Sequence, residues 1–337
     1  MATLKDIAKK TKVSQSTVSR VLNRDSSLSV SDETREKIFK VASELGYKTV
    51  GQRYNDEVFA NKRIGIAQMF EFKEQFEDIY YLLMKNILEE ECFSRHINTV
   101  TLFRNNERKF IKNDDEKLDG IIAVGRFTTD EIESFKKYTH NIVFIDSSPD
   151  EQQYHSIIPN YHLAVRIAIN EFINKGHSDI AFMGSCYTFG DTKEITLDPR
   201  FYYYKNSMID RKIFNEKYVI DCEMNSQSGY EKMKEYIKTG QKMPTAIFIT
   251  SDTIAPGVLK ALQEENISVP QDISIITFNN TSLSEFSNPP LTSIEVYMRE
   301  NVKASLLCFD QLWSGESHVK KIVISCELID RGSVKNI

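Results

Sequence analysis

Long apolar runs are missing from these 337 residues: nothing approaches the roughly 18–20 consecutive apolar positions of a membrane span. The N-terminus, MATLKDIAKK, carries charge with no apolar stretch behind it, so neither a signal peptide nor a membrane partner is expected. Cysteine is scarce and odd in number. Cys92, Cys186, Cys222, Cys308 and Cys326 are widely spaced with no C-x-x-C pair, which speaks against a disulfide framework or a zinc site and for reduced thiols in the cytoplasm. With 13 Gly and 8 Pro the chain is not low-complexity or collagen-like. The six His lack metal-ligand spacing. There is no G-x-S-x-G, no P-loop, no H-E-x-x-H and no G-x-G-x-x-G after a strand. No enzyme, metal or cofactor is expected. What is present is ordinary globular composition, 41% hydrophobic and 27% charged, enough for two or three domains.

Net charge is −5, on its face unfavourable for nucleic acid, but the distribution is uneven. Residues 1–50 hold ten Lys/Arg against six Asp/Glu, a local +4; the other 287 hold 33 against 42, a local −9. A small basic head on an acidic body suggests a head that touches a polyanion and a body with another task.

Three short helices can be read in the head. Thr3 ahead of Leu4, with Asp6 three residues on, makes a capping-box pattern. Ser14 can cap a second helix with Val18, Val21 and Leu22 facing inward. Ser31 can cap a third, with Asp32 and Glu33 at its positive end, Ile38, Val41 and Leu45 on one stripe, and Gly46 as the stop. The second helix leaves Gln15, Ser16, Thr17, Ser19 and Arg20 outside. Those residue types reach base edges and phosphates in a major groove; the alternative is a merely solvated face. The strings TLKDIAKKTKVSQSTVSRVLN and VSDETREKIFKVASELGY closely resemble the helix-turn-helix head of the lactose/galactose repressor family. The resemblance implies that Gln15, Ser16 and Arg20 read bases while Thr3, Ser14, Thr17 and Asn23 hold phosphates and fix register.

A polar stretch, 48–62, follows. In the family this stretch becomes a short hinge helix on DNA and inserts a leucine as a minor-groove wedge. Here Asn55, Asp56 and Glu57 stand where the leucine is expected, with Val58 and Phe59 just beyond. A hinge in a shifted register and a plain linker both remain open.

From residue 63 apolar, β-rich runs (63–69, 97–103, 120–125, 141–146, 179–184, 245–250, 273–278) alternate with helical stretches such as 80–95, 161–176 and 252–266. That alternation predicts an α/β architecture with buried parallel sheets, more economically two lobes than one. Ligands of open α/β sheets sit at the carboxyl ends of strands. Asp146, Ser251-Asp252 and Asn279-Asn280 stand there, and Arg200 opens a helical stretch after 179–184. Acids, amides and an Arg beside aromatics (Phe70, Tyr80, Tyr81, Tyr187, Tyr202–Tyr204) suit a polyhydroxylated ligand. Plainer roles compete: Asp252 as a helix cap, Asp146 paired with a cation, Arg200 in a surface salt bridge, the aromatics as core.

The strings NKGHSDIAFMG, SGYEKMKEYI, PTAIFITSDTIAPGVLKAL, VPQDISIITFNN and PPLTSIEV resemble the two-lobe sugar-sensing core of the same family, itself similar to periplasmic binding proteins. The resemblance implies an α/β chain with an N-terminal three-helix head (1–47), a linker (48–62), a periplasmic-binding-protein-like core (63–332) and a tail (333–337). Three crossings would place about 62–159 plus 290–321 in lobe one and about 160–289 plus 322–332 in lobe two. The implied effector positions are Asp146, Arg200, Ser251 (often asparagine) and Asn279 (often aspartate), with Phe70 and Tyr80 as candidate ring contacts. The implied function is a cytoplasmic repressor of a sugar-utilisation operon, released from a palindromic operator by galactose or a galactoside. A purine or other non-sugar effector, or a sugar-binding module without DNA, are the alternatives. Two heads facing half-sites about 34 Å apart require a homodimer on double-stranded DNA. The segment after Arg331 is too short for a tetramerising coiled coil.

Overall fold

Side-chain caps decide where the first three helices begin. The computed structural model describes residues 2–23, 25, 28–47, 49, 62–70, 78–186, 197–316 and 318–337. At the start of α1 (Leu4–Thr11) the Thr3 hydroxyl accepts from the Asp6 amide at 3.3 Å, and the Asp6 carboxylate accepts from the Thr3 amide at 2.8 Å. Lys12, at φ 61°, turns the chain in the left-handed region towards α2 (Gln15–Leu22), whose cap Ser14 accepts from the Thr17 amide at 3.1 Å. Ser31 caps α3 (Asp32–Glu44) in the same way. Ile7, Val18, Val21 and Ile38 are fully buried where the three helices meet. At about 1.5–3 kcal/mol for each fully buried side chain, this cluster is what holds so small a unit. The period of α2 then leaves Gln15, Ser16 and Arg20 exposed.

The core, Arg63–Ser94 with Asn98–Ile337, is a unit by itself. Its first sheet runs in the order β13 (Lys321–Ile324), β7 (His155–Pro159), β6 (Ile142–Ile145), β5 (Gly120–Val124), β1 (Arg63–Gln68), β2 (Asn98–Thr101), all parallel. The second runs β14 (Glu327–Ile329), β12 (Thr292–Glu295), β11 (Ser274–Asn279), β10 (Ala246–Ile249), β8 (Ile180–Gly184), β9 (Val219–Asp221), parallel except at the β12–β14 edge. A small antiparallel pair, β3 (Phe103–Arg104) with β4 (Phe110–Ile111), lies outside both. The central strands are fully buried apolar runs, GIIAV in β5, IVFI in β6 and AIFI in β10, as expected where both faces of a parallel sheet are covered. Each lobe has its own apolar core, around Ile121, Phe135 and Phe144 in one and Met183, Ile247 and Val258 in the other. In the second, helices Ser226–Lys238 and Ala255–Glu264 cross so closely that a Cβ on Gly257 would lie 1.8 Å from the Ser226 carbonyl oxygen.

The lobe boundaries differ from the expectation in two places. Residues 290–321 do not fall wholly in lobe one, because Thr292–Glu295 pairs in parallel with β11 of the second sheet. The chain returns only after it, with helix Met298–Trp313 packing on β6 and β7. The last crossing lies between β13 and β14, not at 321–322. The tail 333–337 is also anchored: the buried Ser333 hydroxyl donates to the Ile275 carbonyl at 2.6 Å, and the Ile337 amide to that of Lys175 at 2.9 Å.

Candidate functional site

The two sheets turn their carboxyl strand ends towards one cleft. Asp146 follows β6 with φ 71°, and Asn279 ends β11 with φ 94°. Asp and Asn are the residues that tolerate left-handed backbone, and strain of this kind persists where the surroundings dictate it, commonly at binding sites. Ser251 follows β10. Arg200 sits at the start of helix Pro199–Asp210, where Asp198 caps the helix by accepting from the Arg200 amide at 2.8 Å.

That cap also fixes the guanidinium. Arg200 Nε and Nη2 donate to the two Asp198 carboxylate oxygens at 3.0 and 2.8 Å, and Nη1 donates to the Thr250 carbonyl at 2.7 Å. The guanidinium carbon lies 5.2 Å from the Phe278 ring centre and 5.9 Å from that of Tyr161. Asp146 accepts from the Tyr81 hydroxyl at 3.0 Å and from the Tyr161 hydroxyl. Tyr161 opens a helix of the second lobe, so that bond spans the cleft. A second bond also crosses: Thr253 Oγ1 donates to Asp78 Oδ1 at 3.2 Å. Phe70, Tyr80, Tyr81, Met224, Ser251 and Asn279 close the walls, leaving a cavity of about 30 Å³.

Burial sets the charge states. It raises the Asp146 carboxyl above its ordinary range, against the hydrogen bond from Tyr161 and the charge of Arg200. Burial opposes ionisation of Asp198 too, but Arg200 prevails and its carboxyl is lowered. Burial lifts Asp252 to about 6, and burial with the nearby Asp252 lifts Asp78 to about 7. A raised carboxyl stabilises the native state fully below its unfolded value, and that stability is lost as pH rises through the folded one. Between about pH 4 and 7 the Asp78 contribution falls by about 1.4 kcal/mol per pH unit. Asp78→Asn keeps acceptors for Thr253 and for the Tyr80 amide. Its melting temperature is expected to exceed the wild type's by several degrees at pH 8 and to match it near pH 4; equal differences at both would mean Asp78 does not titrate there.

The six residues expected at an effector site, Phe70, Tyr80, Asp146, Arg200, Ser251 and Asn279, border this one cavity. Asp78, Tyr161 and Phe278 join them without having been singled out. Phe278 had a signal, standing just before Asn279, whereas Asp78 and Tyr161 arrive through folding. Asp252 does not cap its own helix: it accepts from the Thr281 amide at 2.6 Å and the Ser284 hydroxyl at 3.3 Å, tying β10 to the segment after β11. Arg200 is no surface salt bridge, its side chain being 11% exposed and its partner Asp198 buried. Tyr204 is core, donating to the Ile180 carbonyl, while Tyr202 is exposed. Tyr187 and the hinge positions Asn55–Phe59 lie outside the described residues.

In the head, Gln15, Ser16 and Asn23 are exposed and Thr17 is half-buried. Arg20 Nε donates to Asp25 at 2.7 Å, with both side chains partly in solvent. Thr3 and Ser14 spend their hydroxyl oxygens as caps, which places them at the amino ends of α1 and α2, where backbone N–H groups favour an anion.

Residues 3–49 match the model of bacterial regulatory proteins of the lacI family, and residues 169–334 match a periplasmic binding protein-like domain. Over 99% of this chain and 100% of the relative, 36% of residues are identical to the HTH-type transcriptional regulator GanR of Bacillus subtilis. The chain belongs to the lacI family. It is a helix-turn-helix transcription regulator. The HTH-type transcriptional repressor MelR of Bacillus subtilis is 34% identical over 99% of this chain and 97% of its own. The structure of a lac repressor dimer bound to operator and an anti-inducer superposes with a TM-score of 0.67 at 20% identity, covering 99% of both chains, which supports the shared fold. Like that family's members, the chain joins a head built for DNA to a two-lobe core. Among the described residues no helix is long and apolar enough to cross a membrane.

Proposed function

We propose that this lacI-family regulator is a cytoplasmic repressor of a sugar-utilisation operon, bound as a homodimer to a palindromic operator and released by a small sugar. The observation that carries the sugar reading is the cleft itself. Asp146 and Asn279 are held at facing strand ends, Arg200 lies beside the stacked Phe278 and Tyr161 rings, and the Tyr80 hydroxyl is buried with no hydrogen-bond partner among the described residues. Carboxylate, amide and guanidinium can bind neighbouring hydroxyls in pairs, and ring faces cover the C–H side of a pyranose. Ser251, where the family often carries asparagine, and Asn279, where it often carries aspartate, keep hydrogen-bonding ability with one negative charge fewer, which is compatible with an uncharged polyol. The sequence resemblance favours galactose or a galactoside. MelR is named a repressor, and the lac repressor structure is a dimer on operator, which supports the repressing, dimeric reading.

In the head, Gln15, Ser16 and Arg20 face base edges while Thr3, Ser14, Thr17 and Asn23 meet phosphates. A cavity of about 30 Å³ is far below the roughly 300–1,000 Å³ of ordinary ligand sites, so a sugar enters only when the lobes part. Entry competes with the Tyr161–Asp146 and Thr253–Asp78 bonds across the cleft. The sugar thereby selects a different lobe arrangement, and release needs a few kcal/mol of differential affinity between the two states.

A thermal-shift panel of galactose, lactose, glucose, ribose and purines tests the site. A ligand at 100 times its Kd adds about 2.7 kcal/mol, several degrees in Tm. A shift with galactose or lactose is expected; a shift with purines alone contradicts the sugar reading.

A further inference from the structure

The turn that leaves α2 holds a carboxylate against Arg20. The Asp25 amide donates to the Arg20 carbonyl at 3.0 Å, closing the end of the helix, and the Asp25 carbonyl accepts from the Leu28 amide at 3.4 Å. Leu28 packs against the Ile7–Val18–Val21–Ile38 cluster, and its carbonyl accepts from Arg35 of α3 at 3.4 Å. The backbone of Asp25 is thus fixed from both sides, by α2 and by the core of the head. Its side chain is half-buried, and its Oδ2 accepts from Arg20 Nε at 2.7 Å. Arg20 stands one turn after Ser16, on the exposed face of α2 that also carries Gln15.

We propose that Asp25 is a positioning residue for operator reading: it holds the Arg20 guanidinium through Nε so that the terminal nitrogens meet O6 and N7 of a guanine. The inference rests on the assignment of Arg20 as a base-reading residue and deepens it. Arginine has a long side chain that loses rotamer freedom when it docks on a base edge, and one already restrained in the free protein loses less. The guanidinium is a planar fork with five donors, so a bond at Nε sets the direction of the whole plane. The terminal nitrogens are the edge that matches guanine in the major groove, and a guanidinium bound through Nε need not give up that bond to present them. A carboxylate this close to the reading residue also repels phosphates, so without such a task Asp25 only weakens binding to every sequence. The two side chains are 45% and 34% exposed, which limits the effect of the pair to a few-fold and confines it to the base that Arg20 reads.

The test uses the full-length protein and a duplex that it selects from a random library, with each base pair of one half-site replaced in turn and binding read by fluorescence anisotropy at fixed salt. Arg20→Ala is expected to lose its preference at a single guanine–cytosine pair. Asp25→Ala is expected to lose about three- to fivefold of the preference at that same pair and to stay within about twofold of wild type at every other. Asp25→Asn, which keeps an acceptor for Nε without the charge, is expected to stay within about twofold of wild type at that pair as well. In the Arg20→Ala background, Asp25→Ala is expected to add no further loss of preference, because the residue acts through Arg20. A loss spread evenly over the half-site, as a loosened head would give, overturns the proposal. So do equal effects of the Asn and Ala variants at that pair, which would make Asp25 a charge and nothing more, and a further loss on top of Arg20→Ala. If Arg20→Ala itself shows no loss at any one position, base reading by Arg20 fails and the proposal falls with it; if it does and both Asp25 variants leave that pair unchanged, only the positioning role fails.

Discussion

Arg200→Met is expected to lower the stability of the core by about 3–5 kcal/mol and to abolish its response to galactosides. The stability loss follows from what the substitution leaves behind. Asp198 is 2% exposed and both its oxygens are held by the guanidinium, so without Arg200 a buried carboxylate stands unpaired. At about 2–4 °C per kcal/mol for a domain of this size, the melting temperature should fall by roughly 10 °C. Loss of binding follows separately, because the same guanidinium lines the cleft beside the Phe278 and Tyr161 rings. The double variant Arg200→Met/Asp198→Asn separates the two effects. It removes the stranded charge and should regain more than half of the lost stability, while the galactoside thermal shift stays absent. A double variant that recovers the shift would place Arg200 outside the effector site.

Arg20→Ala is expected to lose about 1–3 kcal/mol of discrimination between operator and unrelated DNA, about 5–150-fold. The effect is on discrimination more than on affinity, because an arginine reading a base edge contributes where the right base is present. The observed Arg20–Asp25 pair does not prevent this role. It is partly exposed, such pairs are worth about 1 kcal/mol or less, and the guanidinium can exchange it for a base edge at small cost. The fold of the head should be untouched, since Arg20 lies outside the Ile7–Val18–Val21–Ile38 cluster. Unchanged discrimination at matched salt would remove α2 as the reading helix.

The parts of this molecule that were legible in the sequence are those whose cause is local. Thr3 with Asp6, Ser14 and Ser31 announce helix starts because a capping side chain acts within three residues, and those caps stand where the spacing placed them. The continuous apolar strands at 120–125, 141–146 and 179–184 were equally plain, because burial on both faces leaves no polar position to confuse the period. Strands such as His155–Pro159, Thr292–Glu295 and Glu327–Ile329 were not legible: short, part polar and close to sheet edges, they owe their conformation to partners far along the chain. The lobe boundary at 290 was misplaced for the same reason. In the cleft, strand ends pointed to Asp146, Ser251 and Asn279, since fold topology alone says where such ends go. Asp78 and Tyr161 could not be found that way, because their roles come from bonds made across the cleft to Thr253 and Asp146. Asp252 was misjudged because its partners, Thr281 and Ser284, are 29 and 32 residues away.

The central claim joins two events in one chain, DNA binding by the head and its release through the cleft. The most direct measurement is fluorescence anisotropy of a palindromic duplex, selected from a random library by the full-length protein, titrated at fixed salt with and without saturating galactoside. The account predicts tight binding to the selected palindrome and a Kd at least tenfold weaker when the sugar is present, with that sugar effect lost in Arg200→Met/Asp198→Asn. The same Kd with and without every galactoside, or a tighter one with sugar, would contradict it.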